Sequence, residues 1–157
     1  MILALSKRRH GAANAVEHDG FVWELLDEAP QDALLAAPVE VGDGWIMRCD
    51  RVDFPPGGVA YRHIHPGPGI RYLLHGSLLI ESGGESREYG PGEPWFESGP
   101  EPVLAYASPT EETAFVRVML LPGEWAGRRT IRYVDPADEE KPKTQRATVF
   151  LEQPILP

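Results

Sequence analysis

The sequence holds one cysteine, Cys49, in 157 residues. A single thiol excludes an intrachain disulfide and any multi-cysteine zinc site, and it fits a reducing compartment. No apolar run reaches the length of a membrane span. The opening Met1-Ile-Leu-Ala-Leu5 is too short for a signal-peptide core and precedes its charges, so a cytoplasmic, non-membrane protein is expected. Concentrated basic charge is also missing. The net charge is −9, and the nearest approaches to a basic cluster are Lys7-Arg8-Arg9 and Arg128-Arg129. A phosphate backbone needs a basic face, so nucleic acid is not an expected partner. There is no internal repeat and no low-complexity tract.

Glycine and proline are abundant, at 16 each, and together make about a fifth of the chain. With 42% hydrophobic residues, the chain can bury one core, and its length suits one domain. Frequent punctuation favours many short strands over a helical bundle. β-favouring runs lie at Trp45–Phe54, Gly58–His65, Ile70–His75, Ser77–Ser82, Ser86–Tyr89, Trp95–Phe96, Val103–Ala107 and Thr113–Leu121. Turns such as Pro55-Pro-Gly-Gly58, Pro66-Gly-Pro-Gly69, Gly83-Gly84 and Gly90-Pro-Gly92 separate them. This even spacing predicts an all-β sandwich or barrel. Leu73, Leu74, Leu78 and Leu79 read as barrel wall. Residues 1–20 show no clear period and read as a loose arm or a first paired strand. The stretch Glu24–Leu35 allows a short helix broken at Pro30, or irregular surface structure. Arg129–Val134 and Ala147–Leu151 are late strand candidates, and Asp135–Lys143 is a charged surface loop.

The feature that carries chemistry is Gly57-Gly-Val-Ala-Tyr-Arg-His-Ile-His-Pro-Gly67. His63 and His65 are two apart in a strand, so both imidazoles point to one face. Imidazole pairs of this kind suit divalent transition metals. The same pattern also arises from two hydrogen-bonded strand histidines that hold no metal. Two protein ligands hold a metal weakly alone. Tyr61, His75, Glu97 and Tyr106 are the groups that could complete a shell. His75 otherwise reads as a surface histidine, and Glu97 as a strand-edge carboxylate. Trp23, Trp45, Trp95, Phe96 and Trp125 could line a pocket, though tryptophan in a small barrel more commonly packs the core.

Over residues 39–121 the spacing resembles the cupin superfamily. Gly57, five residues, His63-Ile-His65 and a closing Gly76 follow the first cupin motif, and Gly92-Glu-Pro-Trp-Phe-Glu-Ser-Gly-Pro100 begins in the style of the second. The resemblance implies a double-stranded β-helix, or jelly-roll barrel. An arm at 1–38 would precede a barrel at 39–125, and an extension at 126–157 would pack on the barrel or on a dimer partner. It implies a homodimer, and no nucleotide cofactor is expected. The motif's glutamate falls at Gly69 or Ile70 and the second-motif histidine at Val103 or Pro102, none of which can ligate a metal. Carry-over therefore stops at His63 and His65.

Arg71, two residues beyond Gly69, shares the inward face of the motif's glutamate unless a bulge in the Pro-Gly-Pro-Gly turn reverses it. It helps form, with His63 and His65, a cationic pocket for an anionic small molecule, with Tyr61 and Tyr106 as further contacts, or it points to solvent, or it pairs with Glu97 or another internal acid. Three functions follow as expectations. One is a divalent-metal enzyme acting on a small organic molecule, such as a dioxygenase, isomerase or cyclase. Another is a non-catalytic binding or sensing barrel with a vestigial metal site. The third is an interaction module. The fold alone does not choose among them.

Overall fold

A computed structural model describes residues 1–157. Its strands are β1 (Ile2–Ser6), β2 (Ala15–His18), β3 (Phe21–Leu26), β4 (Leu35–Pro38), β5 (Ile46–Phe54), β6 (Val59–Ile64) and β7 (Gly69–His75). They continue with β8 (Leu78–Ser82), β9 (Glu85–Tyr89), β10 (Pro94–Glu97), β11 (Val103–Ala107), β12 (Thr113–Leu121), β13 (Arg132–Tyr133) and β14 (Arg146–Pro154). Two short 3-10 turns, Gly123–Trp125 and Pro136–Glu140, lie near β13. No helix is long and apolar enough to cross a membrane.

The strands form three sheets, ordered β10-β7-β12-β5-β14, β13-β6-β11-β8-β9 and β2-β3-β1-β4. Every pairing is antiparallel. From β5 to β12 the chain alternates between the first two sheets at each step except the β8–β9 hairpin. That order is the double Greek key of a jelly roll. The strands expected from turn spacing between 45 and 121 are all present. Residues 126–157 add β13 and β14 to the edges of the two barrel sheets.

In the N-terminal third, β1 is the paired first strand that residues 1–20 allowed. No helix forms in Glu24–Leu35. Phe21–Leu26 is instead a strand, with Trp23 opposite Leu5 of β1. Leu3, Leu5, Val16, Trp23 and Leu25 pack on Met47, Cys49, Ile70, Val116, Val118 and Leu120. The Trp23 indole N–H donates to the Ile70 carbonyl at 3.1 Å. The N-terminal sheet thus covers the outer face of the β7-β12-β5 sheet. Burial on both faces explains why all nine residues of β12 are buried. It also inverts the pattern of β5. Met47 and Cys49 face the covering sheet, while Arg48 and Asp50 face the barrel interior. Cys49 is free and buried, and burial pushes its thiol up to about 12.

The loop between β1 and β2 is held by buried Glu24. Its carboxylate accepts from the backbone N–H groups of His10 at 3.0 Å and Ala12 at 3.2 Å. The His10 ring lies between two carboxylates, with Nδ1 3.1 Å from Glu24 and Nε2 2.7 Å from Asp32, which Arg8 also contacts. The Asp32 hydrogen bond raises the His10 pKa above its ordinary 6.5, burial opposes that, and Glu24 adds to the rise. A folded value above the unfolded one means the contribution is complete below about pH 6.5 and is lost as pH rises through the folded pKa. The loss in thermal midpoint on His10→Gln should therefore be larger near about pH 6 than near about pH 9. An equal loss at both would contradict a charged His10.

Candidate metal and ligand site

β6 delivers the histidine pair. Val103 of β11 lies directly opposite His63, and the β6–β11 register shifts by a bulge between Val103 and Ala105. His65 follows the strand, and its N–H donates to the Gly99 carbonyl at 2.9 Å. The turn after it sits tight on β12. A Cβ on Gly67 would fall 1.8 Å from the Leu120 carbonyl oxygen, so only glycine fits. The two rings are buried, with centroids 4.9 Å apart.

Each ring is oriented through Nδ1. That atom lies 2.7 Å from the Tyr61 carbonyl in His63 and 3.0 Å from Thr130 Oγ1 in His65. Both Nε2 atoms are left as ligand atoms, and that of His65 is buried without a partner. Burial lowers both pKa values. For His65 the effect is strong, and Arg117 and Arg71 add to it, which favours the neutral imidazole that a metal needs as ligand.

The third group is Glu97. β10 pairs with β7 so that Glu97 stands opposite Gly69, one of the two positions at which the resemblance puts the first motif's glutamate. A Cβ on Gly69 would meet the Val118 carbonyl oxygen at 2.6 Å, so no side chain fits there. The carboxylate arrives from the neighbouring strand instead. One nitrogen from each of His63 and His65 and one Glu97 oxygen lie within 4.8 Å of one another. Trp95 Nε1 donates to Glu97 Oε2 at 2.8 Å, and Arg71 Nε lies 3.2 Å from the same oxygen. The Arg71 contact is a charge contact rather than an aligned hydrogen bond, since Nε and Nη2 of Arg71 have no hydrogen-bond partner. Burial alone would raise the Glu97 pKa, but Arg71, with His63 and the Trp95 N–H, holds it below the usual carboxylate range.

The other sequence candidates lie elsewhere. Arg71 is 1% exposed and sits behind Glu97 rather than on the cavity wall. Its Nη1 donates to the Gly69 carbonyl at 3.0 Å, and burial lowers its pKa to about 10 against the pull of Glu97. Tyr61 gives its carbonyl to His63 and its ring to Lys141, 4.8 Å away. Tyr106 is 40% exposed. His75 contacts the Glu112 carbonyl. None of these four side chains lines the cavity.

That cavity has a volume of about 540 Å³. Part of its lining is apolar and includes Val52, Phe54, Leu78, Ile80, Val103 and Phe115. Another part is charged. Arg117 forms a two-bond pair with Asp50 at 2.7 and 3.0 Å, and Arg48 pairs with Glu152 at 3.1 Å. No residue of the N-terminal sheet lines it. Thr130 and these ion pairs join residues up to 104 positions apart, a distance at which no local sequence signal identifies them.

The donor set fits a divalent transition metal. It offers neutral imidazole nitrogens fixed through their second nitrogens, and one carboxylate whose known contacts both fall on Oε2.

Comparison with solved structures gives partial matches. The polyketide cyclase RemF from Streptomyces resistomycificus matches at 26% identity and a TM-score of 0.46, over 56% of this chain and 61% of that one. An RmlC-like cupin from Shewanella frigidimarina matches at 16% identity and a TM-score of 0.43, over 52% and 80%. A cupin superfamily protein from Desulfitobacterium hafniense matches at 13% and 0.43, over 52% and 72%. The chain thus spans less than two thirds of the length of RemF. No protein-family model and no curated relative matches. With the jelly-roll strand order and a His-x-His strand facing the barrel interior, the chain has a cupin fold.

Proposed function

We propose that this cupin binds a divalent transition metal through His63, His65 and Glu97 and acts with it on a small organic molecule held in the cavity. The observation that carries the reading is the convergence of three ligand atoms within 4.8 Å, one of them a buried imidazole nitrogen with no other partner. The cavity volume lies within the range of small-molecule sites. A bound divalent ion would supply Lewis acidity to an oxygen of the ligand. Tyr61 and Thr130 fix the two imidazoles. Arg71 and Trp95 position Glu97 as an anion. The apolar wall holds the ligand body and excludes water, and this strengthens every charge contact inside.

A second reading is a non-catalytic binding barrel. Glu97 supports it, because Arg71 already balances its charge without an ion. Elemental analysis of untagged protein, beside His63→Ala/His65→Ala, decides between them. The expected result is about one metal per chain, lost in the double variant. Trace metal that is unchanged in the variant would overturn the metal reading and leave the binding barrel.

A further inference from the structure

We infer that the cavity selects an anionic ligand, whose apolar body lies inside the barrel and whose acidic group meets Arg128 and Arg129 at the mouth. This deepens the proposed function and rests on the cavity being a ligand site.

The mouth is identified by residues that line the cavity yet face solvent. They are Gly127, Arg128 and Arg129, with Ala147, Val149 and Glu152 of β14; the Glu152 carboxylate accepts from the Gly127 N–H and is paired with Arg48. Five arginines surround the cavity when Arg71 behind Glu97 is included. Arg48, Arg71 and Arg117 each have a carboxylate partner, Glu152, Glu97 and Asp50. Arg128 and Arg129 have none. The three inner arginines are matched one for one by carboxylates, and Arg128 and Arg129 add two unpaired positive charges at the opening. They stand out in a chain of net charge −9.

Arg129 is held by a neutral group. Its Nη2 donates to the Tyr133 hydroxyl at 3.2 Å, and its guanidinium carbon lies 5.9 Å from that ring's centroid, so its charge stays available. The nearby lysines are engaged. Lys141 pairs with Asp138, while Lys143 is tied to the Glu139 and Lys141 carbonyls, keeps its charge and does not line the cavity. A guanidinium fork suits the paired oxygens of a carboxylate, sulfonate or phosphate. The next residue, Thr130, contacts His65, so the segment that would receive the anion also fixes a proposed metal ligand.

The test uses two fluorescent probes with one ring system, anilinonaphthalene sulfonate and its uncharged parent N-phenylnaphthylamine. Both are titrated into wild type and Arg128→Gln/Arg129→Gln, with competition between them. The substituted positions are exposed, so the fold should survive. The sulfonate should bind about tenfold more tightly than its parent, the size expected for two partly exposed charge contacts. The double variant should remove most of that preference and leave the uncharged probe unchanged. Competing probes of equal affinity, or a preference that persists in the variant, would overturn the selection of anions while leaving the ligand site standing. No saturable binding of either probe, or binding without competition, would count against the ligand site itself and take the inference with it.

Discussion

Asp50→Asn should destabilise the fold by about 3–5 kcal/mol, the cost of leaving one partner of a buried ion pair without its counter-charge. Arg117 and Asp50 are both buried, and they face each other across the β5–β12 register. Their two hydrogen bonds, at 2.7 and 3.0 Å, give the parallel geometry in which a guanidinium and a carboxylate bind best. Arg71 is the next residue across the sheet from Arg117, so losing the Asp50 charge leaves two buried cations side by side with one acid, Glu97, between them and the histidines. The half-exposed pair Arg51–Asp53 provides the contrast. Water screens it, and Asp53→Asn should cost under about 1 kcal/mol. Urea denaturation measures both. Replacing the whole buried pair, as Asp50→Leu/Arg117→Met, should recover most of the loss, because the desolvation cost disappears with the charges. A cost below about 1 kcal/mol for Asp50→Asn would mean that water reaches Arg117 in the folded state.

Glu97→Gln should weaken metal binding by more than about a hundredfold, beyond the 10–100-fold that losing an outer-shell partner costs. The amide keeps the side-chain length and an acceptor for the Trp95 indole, but removes the charge and a strong oxygen ligand. It also leaves Arg71 buried without a counter-charge, so stability falls as well. Affinity must be measured well below the variant's thermal midpoint. Glu97→Ala/Arg71→Met separates the two roles. It should regain much of the stability without regaining metal, because the cation that needed Glu97 is gone while the ligand is still absent.

The barrel was legible because its turns were. Pro55–Gly58, Pro66–Gly69, Gly83-Gly84 and Gly90–Gly92 mark the ends of strands the structure contains. The N-terminal sheet was not, because residues 1–20 show no period and a strand buried on both faces gives no alternation. Trp23 carries no mark distinguishing a strand that covers a sheet from a surface helix. The face of Arg71 followed from its two-residue step past Gly69, and its Cβ-side neighbour confirms that step, since a Cβ on Gly69 would lie 3.0 Å from Arg71 Nη1. Its partner stayed open among a bound anion, solvent, Glu97 and another internal acid. Choosing Glu97 required the β7–β10 register, which places residues 28 apart opposite each other. No motif encodes that register. The charges of β5 were harder still, because Arg48 and Asp50 occupy positions that would face solvent in a sheet covered on its other side.

His63, His65 and Glu97 are proposed to close on a single divalent ion. The most direct test of that closure is titration of metal-stripped protein with cobalt(II), followed by visible absorption, for wild type and Glu97→Gln side by side. The expected result is one saturable cobalt site per chain in wild type, and binding weakened by more than about a hundredfold in the variant. Indistinguishable titrations, or no saturable site in wild type, would contradict it.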